Sequence, residues 1–514
     1  MTPISRRVMN LAHMLRQAAR RHPDAPAMVR GEETIDWRTL DRRVDALARV
    51  LAECGIGKGD RVLVQSRNSV ELVETMFACF RLGAVWVPTN FRQTPDEVAW
   101  LAQASGARLM LCEHVFPDHA AACAIPATIM IGGAGDYEAL VSAHLGAPMP
   151  EADVEHDDPC WFFFTSGTTG RPKAAVLTHG QMAFVVTNHL ADLMPGTSEV
   201  DASLVVAPLT HGAGVHLLTQ VARGARTILP AGDRFDAGEV WALVERWRVT
   251  NMFTVPTILK LLVEHPACAA HDHGSLRHVI YAGAPMYRAD QRRALAALGP
   301  VLVQYFGLGE VTGAITVLRP QDHEAEDGPH GKLGTCGRER TGMQVSIQDA
   351  AGRALAPFET GEICVCGPAV FAGYHDNPAA NAAAFRDGWF RTGDLGHLDA
   401  AGDLFITGRA SDMYISGGSN VYPREIEEKI LLHDAIAEAA VVGVPDPVWG
   451  EVGVAVCVRR GGASIDEAGL TEWLRSRIAS YKIPRRVIFR AELPKSGYGK
   501  VTKSLLRALV VDEP

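Results

Sequence analysis

The sequence predicts an α/β protein with a large N-terminal domain of stacked α/β subdomains, a β-rich subdomain after it, and a small α+β domain at the C-terminus. Three observations carry this. Short β-branched runs alternate with helical patterns through most of the chain, the texture becomes strand-and-turn after Gly331, and the last part packs helices and strands into one short compact unit. Length agrees, since 514 residues exceed what one hydrophobic core usually supports.

The N-terminal MTPISRRVMNLAHMLRQAARRHP is basic and lacks acidic residues until Asp24, a superficial likeness to a transit peptide. Leu11, Met14, Leu15 and Ala18 recur at helical spacing, as in a first helix of the folded domain, and the cytoplasm is the default location. RVLVQS (61–66) then precedes the amphipathic SVELVETMFACFRLG, and AVWVP (84–88) precedes TPDEVAWLAQASG and RLMLCE. Thr94-Pro95-Asp96-Glu97 joins a cap hydroxyl, a first-turn proline and acids at the positive helix end. The same βα grammar continues through SLVVAP (203–208), ARTILP (225–230), NMFTVP (251–256), HVIYAG (278–283) and VLVQYFG (301–307). Each of these strands ends at Pro or Gly, and in open α/β sheets such ends carry the ligands.

MQVSIQD, GEICVCG and LFITGR read as a small antiparallel subdomain over 331–408. REIEEKILLH, EAAVVGVP, VGVAVCVRR and DEAGLTEWLRSRIAS follow as helix, strand, strand and helix. The boundary falls in 409–412, where the strand Leu404 to Thr407 ends at Gly408, giving domains 1–408 and 413–514.

Composition narrows the function. The 47% hydrophobic content marks a folded globular protein, and a formal charge of −9 gives no basic face for tracking nucleic acid, which leaves a small-molecule partner. No run of about 18 uncharged apolar residues exists to span a membrane. The ten cysteines form no CxxC pair and no cysteine-histidine cluster at zinc spacing, so they read as reduced, packed thiols.

FFFTSGTTGRPKAAVLTHG (162–180) sets hydroxyls, glycines, Arg171 and Lys173 against a buried strand end. A turn this rich in glycine presents backbone N–H groups, hydroxyls and a lysine to phosphate oxygens. It is not a Walker A loop, because Gly170 is followed by Arg171-Pro172-Lys173 and then alanine. Six further strings follow: APLTHGAG, YAGAPM, QYFGLGE, RTGDL, GRASDMYISGG and LPKSGYGKVTK.

Together with TSGTTGRPK these strings resemble, in order and over nearly the whole chain, the adenylate-forming superfamily of acyl-CoA synthetases, 4-coumarate ligases, luciferases and peptide-synthetase adenylation domains. The resemblance implies a phosphate clamp of Thr165, Ser166, Gly167, Thr168, Thr169, Gly170 and Lys173, with Gly283, Ala284, Pro285, Gln304, Tyr305, Phe306 and Gly307 around the adenine. It implies that Asp394 and Arg409 hold the ribose, Glu310 holds magnesium, and Lys500 contacts the carboxylate and α-phosphate. His211 falls beside the acyl carboxylate, and the acyl pocket draws on His211, Gly212, Gly214, Val215, Tyr281, Ala282, Gly283, Tyr305 and Val311. Two positions depart from the family's Tyr-Gly-x-Thr-Glu: Phe306 lacks the tyrosine hydroxyl, and Gly309 stands where the family has threonine.

What the resemblance implies is a two-step ligase using ATP, Mg2+ and coenzyme A, whose small C-terminal domain is mobile. A carboxylic acid attacks the α-phosphorus with Lys500 as the catalytic cation; the C-terminal domain then turns about 409–412, with Ser411 at the hinge, and brings Ser416, Gly417 and Gly418 to the site for thiol attack. Ser416 to Pro423 favours coenzyme A as acceptor over a carrier protein, which stays an alternative, as does a non-catalytic nucleotide-binding protein. The mainly apolar pocket favours a fatty or other hydrophobic acid, with an aryl acid as the second reading. Homodimers are common in the family, and no interface is legible.

Overall fold

The computed structural model describes residues 6–165, 171–232, 234–284, 286–324, 332–416, 419–495 and 501–511, without the side chains of Ser504 and Val511. The N-terminal helix Ala12–Arg21 turns Met14, Leu15, Ala18 and Ala19 inward, as the helical spacing predicts. The helix start read at Thr94 is a complete capping box with Glu97, and the helix Pro95–Ser105 stops where Gly106 turns left-handed at φ 62°.

Two large sheets form from the βα units. One has six strands, ordered Lys173–Thr178, Pro159–Thr165, Val85–Pro88, Arg61–Gln65, Leu109–Glu113 and Ala127–Ile131. The other has nine, with Leu302–Phe306, His278–Tyr281, Asn251–Thr254 and Ala202–Val205 in parallel at its centre. Their facing sides share one apolar core with the helices Ala12–Arg21, Trp37–Glu53, Val70–Leu82, His179–Asp192 and Gly212–Arg223. The nine-stranded sheet buries its other face against Ala237–Trp247, Pro256–Glu264 and Arg288–Leu298. Because each strand alternates sides, neighbouring residues at one strand end serve different cores.

The expected β-rich unit is a five-stranded antiparallel sheet of Gln344–Gln348, Gly361–Cys366, Trp389–Leu398, Phe385–Arg386 and Leu404–Arg409. After a turn at 410–413 the C-terminal sheet begins with Tyr414–Ser416; it centres on the hairpin Ile436–Asp446 with Gly450–Arg459, and Arg486–Arg490 adds in parallel. Lys260 Nζ donates to the carbonyl of Ala437 at 3.1 Å, tying the two parts of the chain together in this arrangement.

Buried imidazoles make the fold acid-sensitive. Burial pushes His179 and His278 down to about 4 and His216 down to about 3, and holds His189 well below its ordinary value. These rings stay neutral in the folded state while the unfolded chain protonates them from about pH 6.5 downward. Their contribution is complete at neutral pH and is lost as pH falls toward the folded values, by about 1.4 kcal/mol per histidine per pH unit. Scanning calorimetry from pH 7.5 to 5 is expected to show a falling Tm with net proton uptake on unfolding; a flat Tm without uptake would contradict this.

Candidate active site

The site assembles at strand ends. Thr165 and Lys173 are register partners where two antiparallel strands open into the glycine-rich loop. Thr165 Oγ1 donates to Glu310 Oε1 at 2.8 Å, and the Tyr374 hydroxyl donates to the same oxygen at 3.0 Å. Glu310 lies in a short 3-10 turn, Gly309–Val311, just after the strand Leu302–Phe306. It is 6% exposed, and among the described residues its Oε2 takes no hydrogen bond, so one carboxylate oxygen remains for a cation. The Lys173 ammonium sits over the Tyr374 ring, 4.4 Å from its centroid.

Gly309 is accounted for by packing. A Cβ there would lie 2.6 Å from Phe163 Cε1 and 2.9 Å from Thr165 Cγ2. Phe163 fills the space that the family's threonine would need, and its ring packs on His211 with centroids 4.5 Å apart. The missing side chain at 309 therefore admits the aromatic wall beside His211.

Below His211 the helix Gly212–Arg223 starts against aromatic rings. A Cβ on Gly212 would meet Phe253 Cζ at 2.9 Å and the Tyr305 hydroxyl at 3.6 Å. Phe253 and Tyr305 lie nearly parallel, 17° apart, and His216 stacks on Phe253 at 4.7 Å. Behind Tyr305 the buried Arg340 donates to the Gly313 carbonyl at 3.2 Å, and burial lowers its guanidinium to about 10. Val215 and Val311 belong to the same apolar cluster, as does Ala282.

Tyr281, expected in this pocket, turns the other way and requires a correction. Its hydroxyl accepts from Gln291 Nε2 at 2.9 Å, donates to Gln304 Oε1 at 3.0 Å, and packs with the outer helices. Strand parity is the reason: Tyr281 and Gln304 are register partners on the outer face, while Tyr305 follows on the inner face. Gln304, expected at the nucleotide, is committed by this bond and by one from its Nε2 to Cys336 Sγ at 3.6 Å.

Asp394 and Arg409, expected at the ribose, are brought together. Arg409 Nε donates to Asp394 Oδ1 at 3.0 Å, and the two are register partners on adjacent antiparallel strands. Asp394 lies within the strand Trp389–Leu398 and is 5% exposed. Gly283 has φ 83° and is exposed beside Ala284, directly after the strand His278–Tyr281. Phe306, half-buried, ends its own strand, and at Gly307 a Cβ would strike Gly313 Cα at 2.4 Å. Ser411 is exposed in the turn at 410–413, and Ser416 is buried at the end of Tyr414–Ser416.

Family models decide the assignment: AMP-binding enzyme matches residues 15–375, and AMP-binding enzyme C-terminal domain matches 425–500. The chain belongs to the AMP-binding enzyme family. A feruloyl-CoA synthase of Amycolatopsis is 38% identical to this AMP-binding enzyme over 95% of the chain and 96% of its own length. A long-chain-fatty-acid–CoA ligase of Mycobacterium tuberculosis is 34% identical over 97% and 98%. The o-succinylbenzoate CoA synthetase of Bacillus subtilis, solved with its acyl-adenylate intermediate, superposes with a TM-score of 0.86 at 30% identity, covering 99% of each chain.

Within this AMP-binding enzyme, Ser166, Gly167, Thr168, Thr169, Gly170, Pro285, Gly417, Gly418 and Lys500 lie outside the described residues. Sequence reading missed Phe163, Phe253, His216 and Tyr374. Alternation gave a partial signal for Phe253 in NMFTVP, whereas nothing local marks Tyr374 in AGYHDNP as a partner of Glu310.

Proposed function

We propose that this AMP-binding enzyme is an AMP-forming acid–thiol ligase that activates a hydrophobic carboxylic acid and passes it to coenzyme A. The observation that carries the reading is the meeting of Thr165, Lys173, Tyr374 and Glu310 at the base of the glycine-rich loop, in a chain that aligns over nearly its whole length with a feruloyl-CoA synthase and a long-chain-fatty-acid–CoA ligase.

In the first half-reaction a carboxylate oxygen bonds to the α-phosphorus of ATP as the bond to pyrophosphate breaks. Negative charge approaches negative charge, so Lys173 and the loop donors must be fixed before the reaction begins. Asp394 accepts from the ribose and keeps the nucleotide in register, with Arg409 beside it. Glu310 fits magnesium, since among the described residues one of its carboxylate oxygens takes no hydrogen bond, and nucleotide phosphates would supply further ligands. Bound there, the ion would offset phosphate charge. In the second half-reaction the coenzyme A sulfur attacks the acyl carbon and AMP departs with the carbon–oxygen bonding pair, after the C-terminal part has turned about 409–412.

The acid's body meets the wall of Phe163, Phe253 and Tyr305 close to His211. Nearly parallel rings suit a compact planar aryl acid, while the fatty-acid ligase among the relatives supports a fatty acyl chain. Of the two, the aryl ring is favoured, because Phe253 and the Tyr305 hydroxyl crowd the space at Gly212, 2.9 and 3.6 Å from where a Cβ there would stand, and leave little depth for a long chain.

A pyrophosphate-exchange screen tests both levels. Exchange must depend on added acid, and aryl acids are expected to exceed C12 to C16 fatty acids at least about tenfold in kcat/KM, the discrimination a well-shaped pocket supplies. Tyr305→Ala is expected to move the preference toward longer chains. ATP binding without acid-dependent exchange would sink the ligase reading, and a long-chain preference in the native enzyme would sink the aryl one.

A further inference from the structure

Tyr374 touches both charged groups at the loop base. Its hydroxyl donates to Glu310 Oε1 at 3.0 Å, and its ring lies under the Lys173 ammonium at 4.4 Å. The residue is 8% exposed and its backbone is tied on both sides. Gly373 O accepts from Val176 N at 2.9 Å and His375 N donates to Ala174 O at 2.9 Å, so Tyr374 forms an antiparallel β-bridge with Ala175 in the strand that Lys173 begins. Asn381 accepts from Tyr374 N at 2.6 Å and donates to Tyr374 O at 3.0 Å, and Phe371 packs edge-on to the ring at 4.8 Å. The backbone N–H of Phe371 in turn donates to the Glu310 carbonyl at 2.8 Å.

We propose that Tyr374 is a positioning residue: its hydroxyl occupies Glu310 Oε1 so that Oε2 is presented to a nucleotide-bound divalent cation, and its ring fixes Lys173 for the phosphates. The proposal rests on the ligase reading of Glu310 and Lys173 given above. Thr165 and Tyr374 satisfy one oxygen of the same carboxylate, which fixes the rotation of the other. Two charges of opposite sign, carried by segments far apart in the chain, are thereby held by one phenol.

Calorimetric titration of the full-length enzyme with ATP, in Mg2+ or Mn2+ and again in EDTA, separates the two contacts. Tyr374→Phe keeps the ring and loses the hydroxyl. It is expected to lower the cation-dependent gain in ATP affinity about tenfold, the loss of one charge-assisted hydrogen bond, with affinity in EDTA unchanged. Tyr374→Leu loses both contacts and is expected to weaken ATP binding in EDTA by about threefold as well. Circular dichroism checks each fold; should Tyr374→Leu not fold, Thr165→Val, which removes the other hydroxyl from Oε1, is expected to reproduce the cation-dependent loss. A native-like cation gain in Tyr374→Phe overturns the positioning role alone. A native enzyme whose ATP affinity ignores divalent cations overturns the reading of Glu310 and this proposal with it.

Discussion

Gly309→Thr, which writes the family's residue into the motif, is expected to lower acid-dependent pyrophosphate exchange by about 100-fold, the order of loss that follows a misplacement near 1 Å at a reacting centre. The new Cβ would fall 2.6 Å from the Phe163 ring and 2.9 Å from Thr165 Cγ2. Neither neighbour yields cheaply. Phe163 is 4% exposed, packed by Trp161 at 5.7 Å and His211 at 4.5 Å, and Thr165 is tied to Glu310. Overpacking of this kind costs about 1–3 kcal/mol of stability, so the variant should fold with a lowered Tm. Displacing Phe163 moves His211, and displacing Thr165 releases Glu310, so activity suffers more than stability.

A second substitution makes the expectation specific. Phe163→Val opens room for the threonine, and Gly309→Thr/Phe163→Val is expected to recover at least about tenfold of the loss, a coupling within the range for residues in contact. Strictly additive effects, or a fully active Gly309→Thr, would show that the ring and the glycine are independent. The departure at 309 then carries no argument against catalysis, because the lost hydroxyl is exchanged for an aromatic wall.

Much of this was legible in the chain. The capping box at Thr94, the strand ends at Pro and Gly, and the change of texture after Gly331 are local signals, and local signals survive into the fold. Asp394 and Arg409 were named together only through the family resemblance, and adjacent antiparallel strands place them in register. What stayed hidden depends on pairing between distant segments. Tyr281 and Tyr305 look alike beside their glycines, yet strand parity sends the first into a polar cluster with Gln291 and Gln304 and the second into the inner apolar core. Thr165 and Glu310 are 145 positions apart, and the choice of Tyr374 as their third partner follows from a β-bridge to Ala175 that no periodicity announces.

Lys500→Ala is expected to divide the two half-reactions. Adenylation should fall by about 10²–10³, as when a single preorganised stabiliser of developing charge is removed, while thioester formation from supplied acyl-adenylate stays within about threefold of native. The asymmetry follows from the charges. An acid carboxylate approaching the α-phosphate brings anion to anion and demands a cation between them, whereas a thiol attacking the acyl carbon meets no such repulsion. Neighbouring lysines are poor substitutes: Lys495 is paired with Glu438 at 2.8 Å and Lys503 with Glu427 at 2.8 Å. Lys495→Ala and Lys503→Ala should therefore leave the ratio of the half-reactions native, whatever they do to stability. Pyrophosphate exchange and single-turnover thioester formation measured on all three variants check this. Equal loss of both half-reactions in Lys500→Ala, or the same split in Lys503→Ala, would remove Lys500 from the catalytic role and leave it a structural one.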